Sequence, residues 1–302
     1  MRIALPLVLA LAACRPEVEE HLAPARPVPS FEAMHRAPAS VTRLRVGLMP
    51  YMDAFDLQRT HQPLMDWLSN SLGVPVELKV ASSYDQVGDW LGDGTIDVAE
   101  LSPYPYVRAA KRYALKPLVT AIADGSDTAS GYLFVRADSP IRTLEELKGK
   151  SFGFVDEAST TGHLQPVKLL KDRGYDPATF FGSTQYLGNH AQVLLAVLSG
   201  KVEGGATYQG SMAALKRNKG IDPLEFRIIA KTPRTPRDLY CVRADLDPEL
   251  MEAIRSALLV LSSRDPRTRD VIAPLSINGF YPAEDRAYDA VRAAAAAAGL
   301  ER

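Results

Sequence analysis

Apolar and polar positions divide the chain into three regimes. Residues 3–13 form an apolar run broken only by Pro6, residues 15–42 carry no sustained apolar period, and from residue 43 onward short apolar runs alternate with amphipathic stretches. Residues 43–49 alternate as a strand does, and Leu64, Met65, Trp67, Leu68 and Leu72 then fall on one helical face with Gly73 at its end. Strands are predicted at 74–81 and 96–101, with a short helix at 84–91 between them. Residues 102–106 read as a loop that leads into a helix at 107–114. Further strands are predicted at 118–122, 132–136, 151–155, 184–187, 202–208, 226–230 and 239–243. Helices are predicted up to about 173, at 190–199 behind an Asn189 cap, at 248–263 and at 288–298. This alternation implies an α/β protein in which a unit at about 137–229 is inserted into a larger one.

The N-terminal regime has the form of an export signal. Arg2 precedes the apolar run, which is too short to cross a bilayer. The run ends in Leu11-Ala12-Ala13-Cys14, similar to a bacterial lipobox, with a thiol to accept lipid and small residues before it for the peptidase. Residues 1–13 are accordingly expected to be a lipoprotein signal peptide and Cys14 the lipidated residue; the competing readings are an ordinary secretory signal with a chance cysteine and a short buried helix. Residues 14–42 contain Pro16, Pro24, Pro27, Pro29 and Pro38 and are expected to be a proline-rich tether.

Composition narrows the class. Of 302 residues, 46% are hydrophobic and 24% charged, an ordinary globular balance that suggests two domains. Lys+Arg at 35 against Asp+Glu at 36 gives a net charge of −1, so no overall field recruits nucleic acid. Two cysteines cannot build a disulfide scaffold, and Cys241, inside an apolar strand, reads as an inert core thiol. No phosphate-loop, dinucleotide, zinc-protease or nucleophile-elbow motif is present, and no Cys/His spacing resembles a metal site. No catalytic residue, cofactor or metal is expected.

The most informative stretch is Ser159-Thr160-Thr161-Gly162-His163, placed between a strand and a helix that should start near Pro166. Free N–H groups at a helix start, with hydroxyls beside them, suit an oxyanion. Plain helix capping, which needs one hydroxyl, is the alternative. Tyr51 and Tyr106 follow the first and third strands and could either donate to a ligand or simply pack. His190 stands at a helix start, as a donor or as a cap.

With those residues in view, the chain resembles the phosphate/phosphite/phosphonate substrate-binding proteins of bacterial ABC transporters. The matching stretches run in order. They are Leu44-Arg-Val-Gly-Leu-Met-Pro50-Tyr51; Ile96-Asp97-Val98-Ala99 leading to Ser102-Pro103-x-x-Tyr106; Val135 to Ser139 with Leu147 to Lys150; Ala158 to His163 with Pro166; Gly188-x-His190 followed by Gly200-Lys201-Val202; and Gly279-Phe280-Tyr281-Pro282. The resemblance spans about residues 43–292. It implies a two-lobed periplasmic binding protein of type II with a ligand cleft between α/β lobes joined by a two-strand hinge. The lobes would be 43–134 plus 231–302, and 137–229. Ligand contacts carried over by position are Tyr51, Tyr106, Ser159, Thr160, Thr161 and His190. Glu203 stands where the family usually has aspartate, an acid that in the family can lie near the pocket and bear on the ligand's other end, with a surface charge as the other reading here; Arg234 and Arg237 lie in a hinge-proximal loop more basic than usual and could reach an anion or face solvent. The implied function is capture of a small phosphorus oxyanion by a monomeric, lipid-anchored protein at the periplasmic face of a membrane, with an ABC permease of the inner membrane as partner. The alternative is a ligand-sensing lipoprotein of the same fold that reports to a membrane signalling partner.

Overall fold

The computed structural model describes residues 30–301. The expected signal peptide, Cys14 and the first part of the tether lie outside the described residues. The last part of the expected tether is docked rather than free. Ala37 donates its N–H to the Leu72 carbonyl at 3.0 Å, Ala37 and Val41 pack on an apolar core, and Phe31 stands edge-on to Trp67 at 6.1 Å. The Arg267 guanidinium covers the Phe31 ring at 3.8 Å. Scattered apolar side chains decide this, since burying one contributes roughly 1.5–3 kcal/mol and offsets the ordering of a short extended segment.

Among the described residues, thirteen strands, numbered in chain order, form two sheets and a ribbon. The first sheet holds β1 (Leu44–Leu48), β2 (Val76–Val80), β3 (Val98–Leu101), β4 (Leu115–Ile122), β12 (Leu239–Arg243) and β13 (Gly279–Pro282), in the order β13-β4-β12-β3-β1-β2. The second holds β6 (Gly131–Arg136), β7 (Ser151–Phe154), β8 (Ser183–Tyr186), β9 (Gly204–Tyr208) and β10 (Phe226–Lys231), in the order β10-β6-β9-β7-β8. Between them β5 (Thr128–Ala129) pairs antiparallel with β11 (Thr235–Pro236), so the two crossovers are bonded to each other. In each sheet the parallel part is centred on one strand: β1 flanked by β2 and β3, and β7 flanked by β8 and β9.

The helix Ala54–Leu72 connects β1 to β2 and buries Leu57, His61, Leu64, Met65, Leu68 and Leu72, a single stripe at helical spacing. It runs through Pro63, and Gly73 at φ +75° closes it in the left-handed region that glycine adopts without a Cβ penalty. The helix after β3 starts at Pro103, four residues before the expected 107. Pro103 and Pro105 sit in its first turn, where their missing N–H groups cost nothing. The helix Gln209–Lys219 was not anticipated: its buried stripe is only Ser211, Met212, Ala214 and Leu215. Cys241 lies fully buried in β12, where burial pushes its thiol pKa up and leaves it a core residue.

The helix Asp289–Ala298, in the stretch assigned to the first half, packs on both halves: Val291, Ala294, Ala295 and Ala298 share one core with Tyr104 of the helix Pro103–Arg112 and with Leu133, Leu164 and Leu170 around the second sheet. The alanines allow the close approach, and Lys171 fastens the helix end through the Ala298 carbonyl at 2.8 Å.

Candidate ligand-binding cleft

A cleft of about 650 Å³ opens between the two sheets. Its walls come from the segments that follow β1, β3, β7 and β9 at their carboxyl ends, the position at which open α/β sheets bind ligands.

The expected hydroxyl corner follows β7. Ser159 accepts from the Gly162 N–H at 3.1 Å, and its carbonyl accepts from the Leu164 N–H at 3.0 Å, an i to i+5 bond that makes Thr160–Leu164 a single wide π-type turn. Gly162 is required here because a Cβ would collide with Val155. The N–H groups of this first turn have no acceptor within the helix. The three hydroxyls do different work. Ser159 caps the turn and turns its own hydrogen toward the Tyr84 hydroxyl, Thr160 accepts from the Tyr104 N–H at 2.9 Å and donates to Ser102 Oγ at 3.2 Å, and Thr161 has no side-chain partner among the described residues. Thr160 therefore bonds the second sheet's corner to the start of the helix after β3. Ser102, relieved of the need to donate to Thr160, keeps a proton for the cleft.

His190 begins the helix His190–Leu198, whose Asn189 cap accepts from Gln192 N–H as expected. Its orientation is set by a chain of hydroxyls. Ser211 donates to the Tyr208 carbonyl at 2.7 Å, so the short contact between Ser211 and Thr207 takes the Thr207 proton, and Thr207 can only accept from His190 Nδ1–H at 3.1 Å. Burial lowers the His190 pKa to about 3, so the ring is neutral and its Nε2 is an acceptor. The expected donor to an oxyanion is thus, at rest, a group that takes a proton. Tyr51 lines the cleft from the β1 loop, and the His190 N–H donates to its carbonyl at 3.2 Å.

Two expected contacts stand elsewhere. Tyr106 is fully buried behind the wall; its hydroxyl donates to Asp285 at 2.6 Å and its ring packs on Tyr288 at 4.9 Å. Glu203 is on the surface, where it accepts from the Ser151 N–H at 3.0 Å and pairs with Lys150 at 3.2 Å. These bonds, that of Ser151 first, hold its carboxyl below the usual range. Arg234 and Arg237 do line the cleft. They are bound to the first crossover, Arg234 through Thr128 Oγ1 at 2.7 Å and Arg237 through the Ser126 carbonyl at 2.9 Å.

The cleft also holds residues that the pattern did not single out. Asp238 precedes β12, and burial together with the Glu100 charge raises its pKa to about 7. Among the described residues, no side chain hydrogen-bonds its carboxyl. Glu100 of β3 pairs across the sheet with Tyr240 of β12. The signals were an acid inside the apolar run Val98-Ala99-Glu100-Leu101 and an aspartate two residues before Tyr240, hence on the same face. Among the described residues the hydroxyls of Thr235 and Tyr240 are buried without a hydrogen bond, and both residues line the cleft. An unmet buried hydroxyl costs about 1–3 kcal/mol, which a polar ligand would offset.

No helix of the described residues is long and apolar enough to cross a membrane. The profile of the family described as ABC transporter, phosphonate, periplasmic substrate-binding protein matches residues 46–288. The chain is 26% identical over 224 residues to the phosphate-import protein PhnD of Mycolicibacterium smegmatis, an alignment covering 70% of each protein. It superposes with TM-score 0.80 and 21% identity on the binding protein component of an ABC phosphonate transporter from Pseudomonas aeruginosa, over 86% of this chain and 87% of that one. With PhnD1 of Prochlorococcus marinus in complex with methylphosphonate the TM-score is 0.78 at 18% identity, over 86% and 99%. The architecture is the type II periplasmic binding protein fold. With a cleft between two α/β halves and a matching profile over most of its length, the chain belongs to the periplasmic phosphonate substrate-binding protein family of ABC transporters.

Proposed function

We propose that this protein captures a small phosphorus oxyanion (a phosphonate, phosphite or phosphate) for an ABC permease, and that the bound ligand brings or shares a proton. The observation that carries this reading is the mixture of groups in one cleft. Thr161 and the N–H groups of the first turn other than that of Gly162 offer hydrogens to an oxyanion, whereas His190 Nε2 and Asp238 offer places for a proton. A P–OH group satisfies both sets, while an anion with no proton leaves the acceptors unpaired. Binding requires donors already in place and closure of the halves about the β5–β11 ribbon, and no catalysis. The halves are taken as 43–134 with 231–302, and 137–229, the C-terminal helix packing on both. Lipidation at Cys14 would hold a monomer at the periplasmic face of the membrane, near its permease.

Isothermal titration of the purified protein with phosphate, phosphite, methylphosphonate, 2-aminoethylphosphonate and sulfate tests this. Measurements in buffers of different ionisation enthalpy count protons. One phosphorus ligand is expected to bind at micromolar affinity or tighter, with proton uptake at alkaline pH and little affinity for sulfate. Absence of binding to every phosphorus ligand by folded protein overturns the reading.

A further inference from the structure

Behind the cleft wall a fully buried histidine touches three groups that neither the motifs nor the ligand contacts account for. His61 Nδ1 lies 2.9 Å from the Leu57 carbonyl, and its Nε2 lies 3.0 Å from Glu100 Oε2 and 3.3 Å from the Tyr51 hydroxyl. A carbonyl oxygen only accepts, so Nδ1 carries a hydrogen. A carboxylate also only accepts, so the contact with Glu100 calls for a hydrogen on Nε2 as well. A ring with both hydrogens is an imidazolium.

We propose that His61 is a positioning residue for the cleft: as an imidazolium held between Leu57 and Glu100, it cancels the Glu100 charge in the wall and has no lone pair on Nε2 with which to accept the Tyr51 proton. The Tyr51 hydroxyl proton is then free for the ligand. Without His61 the cleft would present an uncompensated carboxylate to an anion. The inference rests on the anion-binding reading given above.

The surroundings agree. Burial alone pulls the His61 pKa down, but the charge and hydrogen bond of Glu100 outweigh it and leave the pKa raised. On its own helix the charged residues are Asp56, Arg59 and Asp66. The elements packed on that helix bring Glu77 and Lys79 of β2, Glu249, Glu252 and Arg255 of the helix Pro248–Leu259, and Arg269 and Asp270; Glu77 pairs with Arg43, Glu252 with Arg255 and Arg269 with Asp270. Glu100 is the one charge bearing on the ring. On the cleft side Glu100 bears on Tyr51, Tyr208, Tyr240 and Asp238. The three tyrosines are pushed up by burial and stay neutral.

Two measurements on the intact protein test this. Nitrogen NMR of histidine rings, without ligand, reads the protonation of His61 directly; the resonance is assigned as the one missing from the spectrum of H61Q. Both ring nitrogens are expected to be protonated at pH 7.5, and an unprotonated Nε2 there overturns the proposal. Oxyanion affinity is then compared in wild type, H61Q, and H61Q/E100Q. H61Q is expected to bind about tenfold or more weakly, and the double variant, with a neutral wall, to regain most of that loss. A folded double variant no better than H61Q overturns the charge argument, because loss of packing alone would not be repaired by E100Q. If wild type binds no oxyanion, the functional reading fails, while the ring spectrum still decides the charge of His61.

Discussion

His190 points Nδ1 at the Thr207 hydroxyl, 3.1 Å away, and that hydroxyl has already given its proton to Ser211. The tautomer of a ligand-facing histidine is therefore set by a threonine behind it. Thr207→Val keeps the shape and removes the acceptor, so the neutral ring moves its proton to Nε2. The expected result is a shift in selectivity: affinity for sulfate rises relative to the phosphorus ligand by about threefold to tenfold. Competition titration at pH 8 measures it, and an unchanged ratio counts against the assigned tautomer.

Two cleft groups make opposite contributions to the dependence of stability on pH. His190 has a folded pKa of about 3, below its unfolded value, so the unfolded chain binds the extra proton and stability falls as pH drops from about 6.5 toward 3. Asp238 has a folded pKa of about 7, above its unfolded value, so its contribution is intact below about pH 4 and is lost as pH rises through 7. Asp238→Asn should therefore stabilise the ligand-free protein above pH 7, on the order of 2 kcal/mol, and leave it unchanged at pH 4. Denaturant melts at the two pH values check the sign.

The neighbouring threonines should separate by phenotype. Thr160 bonds to Ser102 and Tyr104, whereas Thr161 has no side-chain partner among the described residues. Thr160→Ala is expected to lower stability by about 1–2 kcal/mol as well as affinity. Thr161→Ala is expected to lower affinity about tenfold with little change in melting temperature. Equal losses of stability in both variants would contradict this division.

Glu203→Gln should leave ligand affinity at the wild-type value, because the carboxylate is spent on Ser151 and Lys150 at the surface. Tyr106→Phe, which removes the bond to Asp285, should cost about 1 kcal/mol of stability and shift affinity only slightly. Titration and thermal melts of both variants decide whether either residue acts on the ligand.

Much of the architecture was legible because local signals were strong. Asn189 and Gly73 capped helices where their chemistry required it, and the Ser159–Gly162 corner reached the cleft. What escaped notice depended on partners distant in the chain. His61 sits at helical spacing between Leu57 and Leu64, so extending that apolar stripe upstream would have placed it in the core, but Pro63 concealed the continuity. Tyr106 and Asp285 are 179 positions apart, and no spacing rule links them. The proton on His190 depends on Ser211 donating to a backbone carbonyl, a fact about geometry alone.

The C-terminal helix has a mechanical consequence. The strand β13 is woven into the first sheet, and the helix Asp289–Ala298 that follows packs on the helix Pro103–Arg112 on one side and on Gln165–Asp172 on the other, a third attachment between the halves. Two bodies joined at two neighbouring points can swing and twist; a third attachment elsewhere removes freedom. If the halves swing as proposed, the rotation must either keep this third attachment or peel it, which makes the last helix a strap that guides the swing and limits how wide the mouth can gape.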